Sequence, residues 1–283
     1  MPELPEVEIL VRHLAPLLKN KTIRKSVVYR ARVLRPTSIN ALQSTLQGAK
    51  FVALSRRGKY LLFTLRTGSA GDALTLLGHL GMTGRMYLSP TKTPLPKHAA
   101  VVLELGRHNF IFEDTRYFGR LTLDTTSVEK LGPEPLSEQF TQKHLVHRLR
   151  HSKQPIKVKL LDQSLVAGVG NIYASEALFR AGISPLTPAG KVSPAKLKKL
   201  RIAIRSVLSA AIRRGSTVPL NYYGSASRDR LFYFGRAADA EDFFEERLRV
   251  YDRAGRPCRR CKQPILRIIQ AARSTFYCPQ CQK

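Results

Sequence analysis

The amino-acid sequence predicts an α+β chain: strand-rich behind one opening helix, then helical, and ending in a cluster of cysteines. Three observations predict it. Residues 3–18 carry apolar side chains at helical spacing, with Val7, Leu10, Val11, Leu14 and Leu18 on one side. From about Thr22 to Leu123 the texture changes to short β-branched and aromatic runs punctuated by Gly, Pro or polar pairs, as in a mostly antiparallel sheet assembly. Beyond Gly132-Pro133-Glu134-Pro135-Leu136, a stiff break and the expected linker, apolar residues return to helical spacing.

Element by element, Pro2 and Pro5 suit the first turn of a helix, and the neighbouring acids suit its positive end. Strands are expected over Ile23–Tyr29, Phe51–Ser55, Tyr60–Leu65, Ala100–Leu105, Phe110–Phe112 and Leu121–Leu123, with no topology fixed by the runs alone. Between Leu160 and Gly182, two apolar helical stretches flank Gly168-Val169-Gly170-Asn171. Ser193-Pro194 reads as a helix start, with Ser as cap and Pro at the first helical position. Leu197, Leu200, Ile204, Val207, Leu208, Ala211 and Ile212 continue that helix, and Gly215 can close it. Residues 216–246 lack clear periodicity and read as a loop.

With 283 residues the chain can hold two modest domains with separate cores. Its formal charge of +28, from 48 basic against 20 acidic residues, points to a polyanionic partner, most plausibly nucleic acid. A membrane surface is disfavoured, because no long basic amphipathic segment, lipidation signal or apolar run of about 18–20 residues is present. Glu3, Glu6 and Glu8 stand where a signal peptide would place basic and apolar residues, so a soluble intracellular protein is expected.

All four cysteines lie in the last 26 residues as Cys258-x2-Cys261-x16-Cys278-x2-Cys281. Two close pairs of soft thiolates fit a closed tetrahedral zinc site with no ligand position left for chemistry. Disulfides are the competing reading, disfavoured by the intracellular context. The expected cofactor is one structural zinc and no organic group.

Pro2 becomes an N-terminal secondary amine once Met1 is removed. Such an amine has a pKa near about 7.7–8 before perturbation, so a sizeable neutral fraction exists at neutral pH. It can attack a carbonyl-like carbon and form a Schiff base, with Glu3 beside it to move protons. A plain helix start would be the simpler reading of Pro2-Glu3 taken alone.

The rest of the chain changes that balance. Pro2-Glu3-Leu4-Pro5-Glu6-Val7-Glu8, Arg57-Gly58-Lys59-Tyr60-Leu61-Leu62, His79-Leu80-Gly81-Met82-Thr83-Gly84, Asp114-Thr115-Arg116-Tyr117-Phe118-Gly119, Gly168-Val169-Gly170-Asn171-Ile172-Tyr173-Ala174-Ser175-Glu176 and the four-cysteine terminus occur in that order over nearly the whole chain. Together they resemble the formamidopyrimidine-DNA glycosylase and endonuclease VIII family of base-excision repair enzymes. The resemblance implies a two-layered, helix-flanked β-sandwich domain over residues 1–134. It implies a helical domain over 135–246 with a helix–two-turn–helix DNA-binding element and a base-capping loop, and a zinc finger over 247–283.

The resemblance also implies the chemistry. Pro2 would attack C1′ of a flipped nucleotide, Glu3 would shuttle protons, Lys59 would assist β-elimination, and Arg273 in the ribbon hairpin would assist δ-elimination. Met82, Arg116 and Phe118 match the residues that fill the vacated stack, where a thioether, a guanidinium and an aromatic ring have distinct tasks. Without the family match, Met82 and Phe118 would more often be core residues and Lys59 a solvated strand lysine. Asn171 and Arg273 match phosphate contacts, and His98 and Lys153 match further DNA contacts with weaker flanks.

The implied partner is double-stranded DNA containing oxidised bases or abasic sites, bound by a monomer in the cytoplasm at a bacterial-type nucleoid. Met82 standing apart from Arg116 and Phe118 favours an oxidised-purine preference over the oxidised-pyrimidine alternative. Pro2, Glu3 and Lys59 together disfavour a non-catalytic DNA-binding zinc protein. Tyr117 stands where many relatives carry an arginine, and Pro219–Arg236, with Tyr222, Tyr223, Phe232, Tyr233 and Phe234, is longer and more aromatic than the family's loop.

Overall fold

A computed structural model of the chain describes residues 2–68, 71, 73–214 and 248–283. These divide into two compact units, residues 2–129 and residues 130–214 with 248–283.

The first unit opens with α1 (Leu4–Leu18), which buries Val7, Leu10, Val11, Leu14 and Leu18, the face its spacing predicts. It continues through β1 (Lys25–Val28), α2 (Ile39–Leu46), β2 (Lys50–Arg57), β3 (Tyr60–Arg66) and β4 (Ala73–His79). Then come β5 (Arg85–Pro90), β6 (Ala99–Glu104), β7 (His108–Glu113), β8 (Arg120–Thr122) and the one-turn α3 (Thr126–Glu129). Two four-stranded sheets result, ordered β1-β6-β7-β5 and β2-β3-β4-β8, and every pairing is antiparallel. Phe63 of the second sheet meets Phe110 of the first edge-on, with ring centroids 5.5 Å apart. The sheets therefore share one core, to which α1 adds its apolar face, and the unit is the expected helix-flanked sandwich. Each of the six expected strands is present, while β4, β5 and α2 had no counterpart among the runs read from the sequence.

The second unit holds α4 (Gln142–Leu149), α5 (Ile156–Leu160), α6 (Asn171–Ala181) and α7 (Pro194–Arg214). The hairpin β9 (Leu266–Gln270) and β10 (Arg273–Tyr277) follows. The Ser193 hydroxyl accepts the Lys196 N–H at 3.3 Å, so the Ser-Pro start of α7 is built as its residues predict. Between α5 and α6 the Gln163 side chain holds the glycine turn: Oε1 accepts the Gly168 N–H at 2.9 Å and Nε2 donates to the Val169 carbonyl at 2.9 Å. Gly168 has φ +83°, a left-handed conformation that glycine adopts without a Cβ penalty.

From α6 the buried Glu176 carboxylate accepts N–H groups of Arg249, Val250 and Tyr251 at 2.9–3.1 Å, which fixes the chain where it enters the cysteine ribbon. Burial pushes this carboxyl up, against the opposing pull of those N–H groups. The expected closure of α7 at Gly215, the loop over 216–246 and its aromatic stretch lie outside the described residues.

Candidate functional site

In the first unit the start of α1 presents Pro2, which is buried. Glu3 caps the helix and forms a capping box with Glu6, whose Oε2 accepts the Glu3 N–H at 2.8 Å. Glu3 is 2 % exposed, so its carboxyl is held in place beside Pro2. A second acid anchors the same helix. Glu8 pairs with Arg12 and with Arg56 of β2, each at 2.8 Å. Burial raises the Glu8 carboxyl, but the two guanidiniums outweigh it and hold the group below its ordinary range.

Arg56 also donates from Nη1 to the Gly58 carbonyl at 2.9 Å. Gly58-Lys59 is the tight turn joining β2 to β3, with φ +58° at Gly58. The chain Glu8–Arg56–Gly58 thus ties the helix that presents Pro2 to the turn that presents Lys59, a lysine only 7 % exposed.

His79 at the end of β4 adds a group that had carried no role in the sequence reading. Its ring lies 4.8 Å from that of Tyr60, its cross-strand partner. Nδ1 accepts the Gly81 N–H at 3.0 Å, which leaves the proton on Nε2. Burial first, then the positive charges of Lys59 and Arg120, lower its pKa from 6.5 to about 4. His79 is therefore neutral at pH 7. Because the folded value is depressed, the unfolded chain takes up the proton first. This group's contribution to stability is full above about pH 6.5 and is lost progressively down to about pH 4, by roughly 3 kcal/mol at most. Denaturant unfolding at pH 7, 5.5 and 4 should show a steeper acid loss for the parent chain than for His79→Asn. Parallel curves would contradict the buried neutral imidazole.

Two loops follow β4 and β7. Met82 is 40 % exposed and Phe118 44 % exposed, and Arg116 is exposed with its guanidinium 4.9 Å from the Phe118 ring centroid. These three side chains are thus loop-borne and outside the core. Tyr117 turns the other way: with φ +53° it packs against the core, beneath the Arg30 guanidinium at 5.4 Å. His98 is half-buried just before β6, and its carbonyl accepts the Asp114 N–H at 3.1 Å.

In the second unit Asn171 is the first residue of α6, and Gly170 occupies the cap position. The Asn171 side chain is not a cap. Its Nδ2 donates to the Ser274 carbonyl at 2.9 Å and its Oδ1 accepts from the Lys157 ammonium. Lys157 is fully buried and also donates to Thr275 Oγ1 at 2.6 Å and to the Ser274 carbonyl at 3.1 Å. This lysine carried no role in the sequence reading. It fastens the turn that carries Asn171 to the strand that begins with Arg273. Arg273 itself is exposed, directly after Ala271 and Ala272, whose φ of +46° and +58° close the two-residue hairpin. Lys153 is exposed in the segment before α5.

The four cysteine sulfurs all lie within 4.8 Å of one another, with Cys261–Cys278 at 3.4 Å and Cys258–Cys281 at 3.9 Å. A disulfide needs about 2.05 Å, whereas a tetrahedron of Zn–S bonds near 2.3 Å has edges of about 3.8 Å. The donor set fits one structural zinc held by Cys258, Cys261, Cys278 and Cys281, with every ligand position filled by thiolate.

A sandwich unit that buries Pro2, Glu3 and Lys59, in a chain whose other unit ends in a four-cysteine ribbon, has the features of a class of DNA-repair glycosylases. Comparison with known proteins agrees along the whole chain. Residues 1–121 match the formamidopyrimidine-DNA glycosylase N-terminal domain, 131–220 its H2TH domain, and 255–283 the zinc finger found in FPG and IleRS. Relatives called formamidopyrimidine-DNA glycosylase include one from Carboxydothermus hydrogenoformans, 38 % identical over all of both chains. Another, from Chloroflexus aggregans, is 43 % identical over all of this chain and 98 % of its own. A Lactococcus lactis Fpg solved with abasic-site DNA superposes with a TM-score of 0.85 at 32 % identity, covering 99 % of each chain. The same enzyme solved with Fapy-dG DNA gives 0.85 over 99 % of this chain and 100 % of that one. The chain belongs to the formamidopyrimidine-DNA glycosylase family.

Proposed function

We propose that the chain is a bifunctional DNA glycosylase and abasic-site lyase of base-excision repair that removes oxidised purines, 8-oxoguanine and formamidopyrimidines among them. The observation that carries this reading is the placement of Pro2, buried at the head of α1 beside the capped Glu3, with the Lys59 turn tied to the same helix through Arg56. Duplex DNA with an oxidised base or an abasic site is the substrate, in agreement with a formal charge of +28. The working place is the bacterial cytoplasm, on nucleoid DNA. Three functional domains serve it: a catalytic one over 1–134, a helical DNA-binding one over 135–246 and the zinc finger over 247–283.

The Pro2 nitrogen lone pair forms a bond to C1′ of the extruded nucleotide, and the C1′–base bond breaks. The C1′–O4′ bond then opens, O4′ receives a proton through Glu3, and the nitrogen and C1′ are left doubly bonded as a Schiff base. That electron sink lowers the cost of losing a C2′ proton, so the 3′ phosphate leaves. The C2′ proton passes to water, the C3′–O bond breaks with its electron pair going to the departing phosphate, and Lys59 holds that phosphate and donates a proton to it. Arg273 serves the second elimination, which breaks the C5′–O bond and releases the 5′ phosphate. Water then hydrolyses the Schiff base, freeing the sugar remnant and the Pro2 amine and leaving a one-nucleotide gap. Extrusion empties a place in the stack. Met82 and Phe118 fill it and wedge the opposite strand, while the Arg116 guanidinium meets the acceptor edge of the orphaned cytosine. Asn171, His98 and Lys153 hold the backbone.

A panel of lesion-bearing duplexes, scored separately for base release and strand cleavage, tests the function. Release of 8-oxoguanine and formamidopyrimidine with cleavage on both sides is expected; preference for oxidised pyrimidines would replace the reading. Arg116→Ala should lose discrimination between cytosine and adenine opposite the lesion by about 1–3 kcal/mol, or roughly five- to 150-fold. Lys153→Ala should weaken all duplexes alike and lower the salt slope by about one unit. Equal losses opposite both bases for Arg116→Ala would reduce it to a phosphate anchor.

A further inference from the structure

We propose that the Asp114 carboxylate, latched by the Thr83 hydroxyl, is a positioning group that makes one wedge of the two loops bearing Met82 and Arg116–Phe118, and so sets opposite-base discrimination. The inference rests on those three residues entering the stack, and it deepens that reading.

Asp114 directly follows β7 and is 0 % exposed. A buried carboxylate is tolerated only when its oxygens are satisfied. Here the donors come from both loops. Oδ1 accepts the Thr83 hydroxyl at 2.6 Å, from the residue after Met82, and the Arg116 N–H at 3.1 Å. Oδ2 accepts the Gly119 N–H at 2.8 Å, from the residue after Phe118. The Asp114 N–H in turn donates to the His98 carbonyl. One side chain thus organises the backbone on both sides of Arg116-Tyr117-Phe118 and reaches across to the Met82 loop.

The loops also touch directly. A Cβ at Gly81, where φ is +60°, would stand 2.6 Å from the Gly119 nitrogen and 2.7 Å from the Phe118 carbonyl carbon. Two segments packed backbone to backbone and sharing one acceptor cannot shift independently. With Tyr117 held against the core, Arg116 and Phe118 are left projecting together. Thr83 joins the Met82 loop to Asp114 through its side chain, so its hydroxyl is a point at which the coupling can be cut with little disturbance. The energetic logic is preorganisation: a guanidinium already aimed at the orphaned base loses less freedom on contact.

The test uses the full chain and one oxidised guanine placed opposite cytosine or adenine, in single-turnover excision. The readout is the cytosine-to-adenine rate ratio, which a merely structural loss of stability would not move. Thr83→Val should lower the ratio by about threefold or more, in the direction of Arg116→Ala, because it removes one hydrogen bond to a charged group. Thr83→Ser, which keeps the hydroxyl, should restore it. Thr83→Val combined with Arg116→Ala should be no worse than Arg116→Ala alone, the sign of two residues acting through one contact. Asp114→Asn should match or exceed Thr83→Val; if it does not fold, the Thr83 pair decides. A parent-like ratio in Thr83→Val beside a collapsed ratio in Arg116→Ala overturns the latch and leaves the insertion reading standing. No discrimination in the parent, or none lost in Arg116→Ala, overturns both.

Discussion

Blocking the Pro2 nitrogen should abolish base excision while leaving duplex binding largely intact. A retained Met1 or an N-terminal extension turns that nitrogen into an amide, whose lone pair is delocalised and is no nucleophile. Nothing else in the first unit changes: Glu3 still caps α1, and Glu8 still holds Arg56 and the Lys59 turn. The loss should exceed about 10³-fold, because a covalent path is removed and not merely slowed. Pro2→Gly should fall between these extremes. Its primary amine can still attack, without the ring that fixes the direction of approach. Excision assays on processed and extended chains, with binding measured in parallel, separate the two cases. An extended chain that excises at the parent rate would remove Pro2 from the mechanism.

Loss of zinc should be nearly as damaging, through a different route. Structural zinc in small ribbons contributes about 10–16 kcal/mol of apparent binding energy, which is folding energy for the segment it closes. Cys258→Ser or Cys278→Ser should bring bound metal towards zero and disorder the hairpin that carries Arg273. The damage should spread to Asn171, because Ser274 and Thr275 supply two of the groups that satisfy the buried Lys157 ammonium. A buried charge stripped of partners costs several kcal/mol. Duplex affinity should therefore drop for damaged and undamaged DNA alike. Metal content staying near one per chain in both variants would contradict the four-thiolate site.

How much was legible in the sequence varied with how local each signal was. α1, α7 and the cysteine ribbon declare themselves through spacing, caps and ligand pairs within a few residues, and each is present. β4 was missed because Gly78 interrupts its apolar run, and the reason for that glycine is tertiary. A Cβ there would stand 3.1 Å from the Met86 methyl and the Phe63 ring. α2 was missed because it buries only Leu42 and Leu46, too few apolar positions to show a period. Roles tied to a motif position could be stated as expectations, for buried Pro2, Glu3 and Lys59 as for exposed Met82, Arg116 and Phe118, whereas roles that arise from long-range contacts could not. Lys157, Asp114 and His79 look like ordinary polar residues until contacts 14 or more residues away are known for the first two. His79 needs its neighbours Lys59 and Arg120. Their roles come from burial and partners, which periodicity does not record.

The central claim, that the Pro2 nitrogen forms the covalent bond to the sugar, is tested most directly by trapping and mapping. Borohydride reduction of the chain on abasic-site duplex, followed by proteolysis and mass spectrometry of the adduct, identifies the attached residue. The account predicts a sugar-derived mass on the peptide beginning at Pro2 and none elsewhere. An adduct on Lys59 or another lysine, or strand cleavage with no trapped species at all, would contradict it.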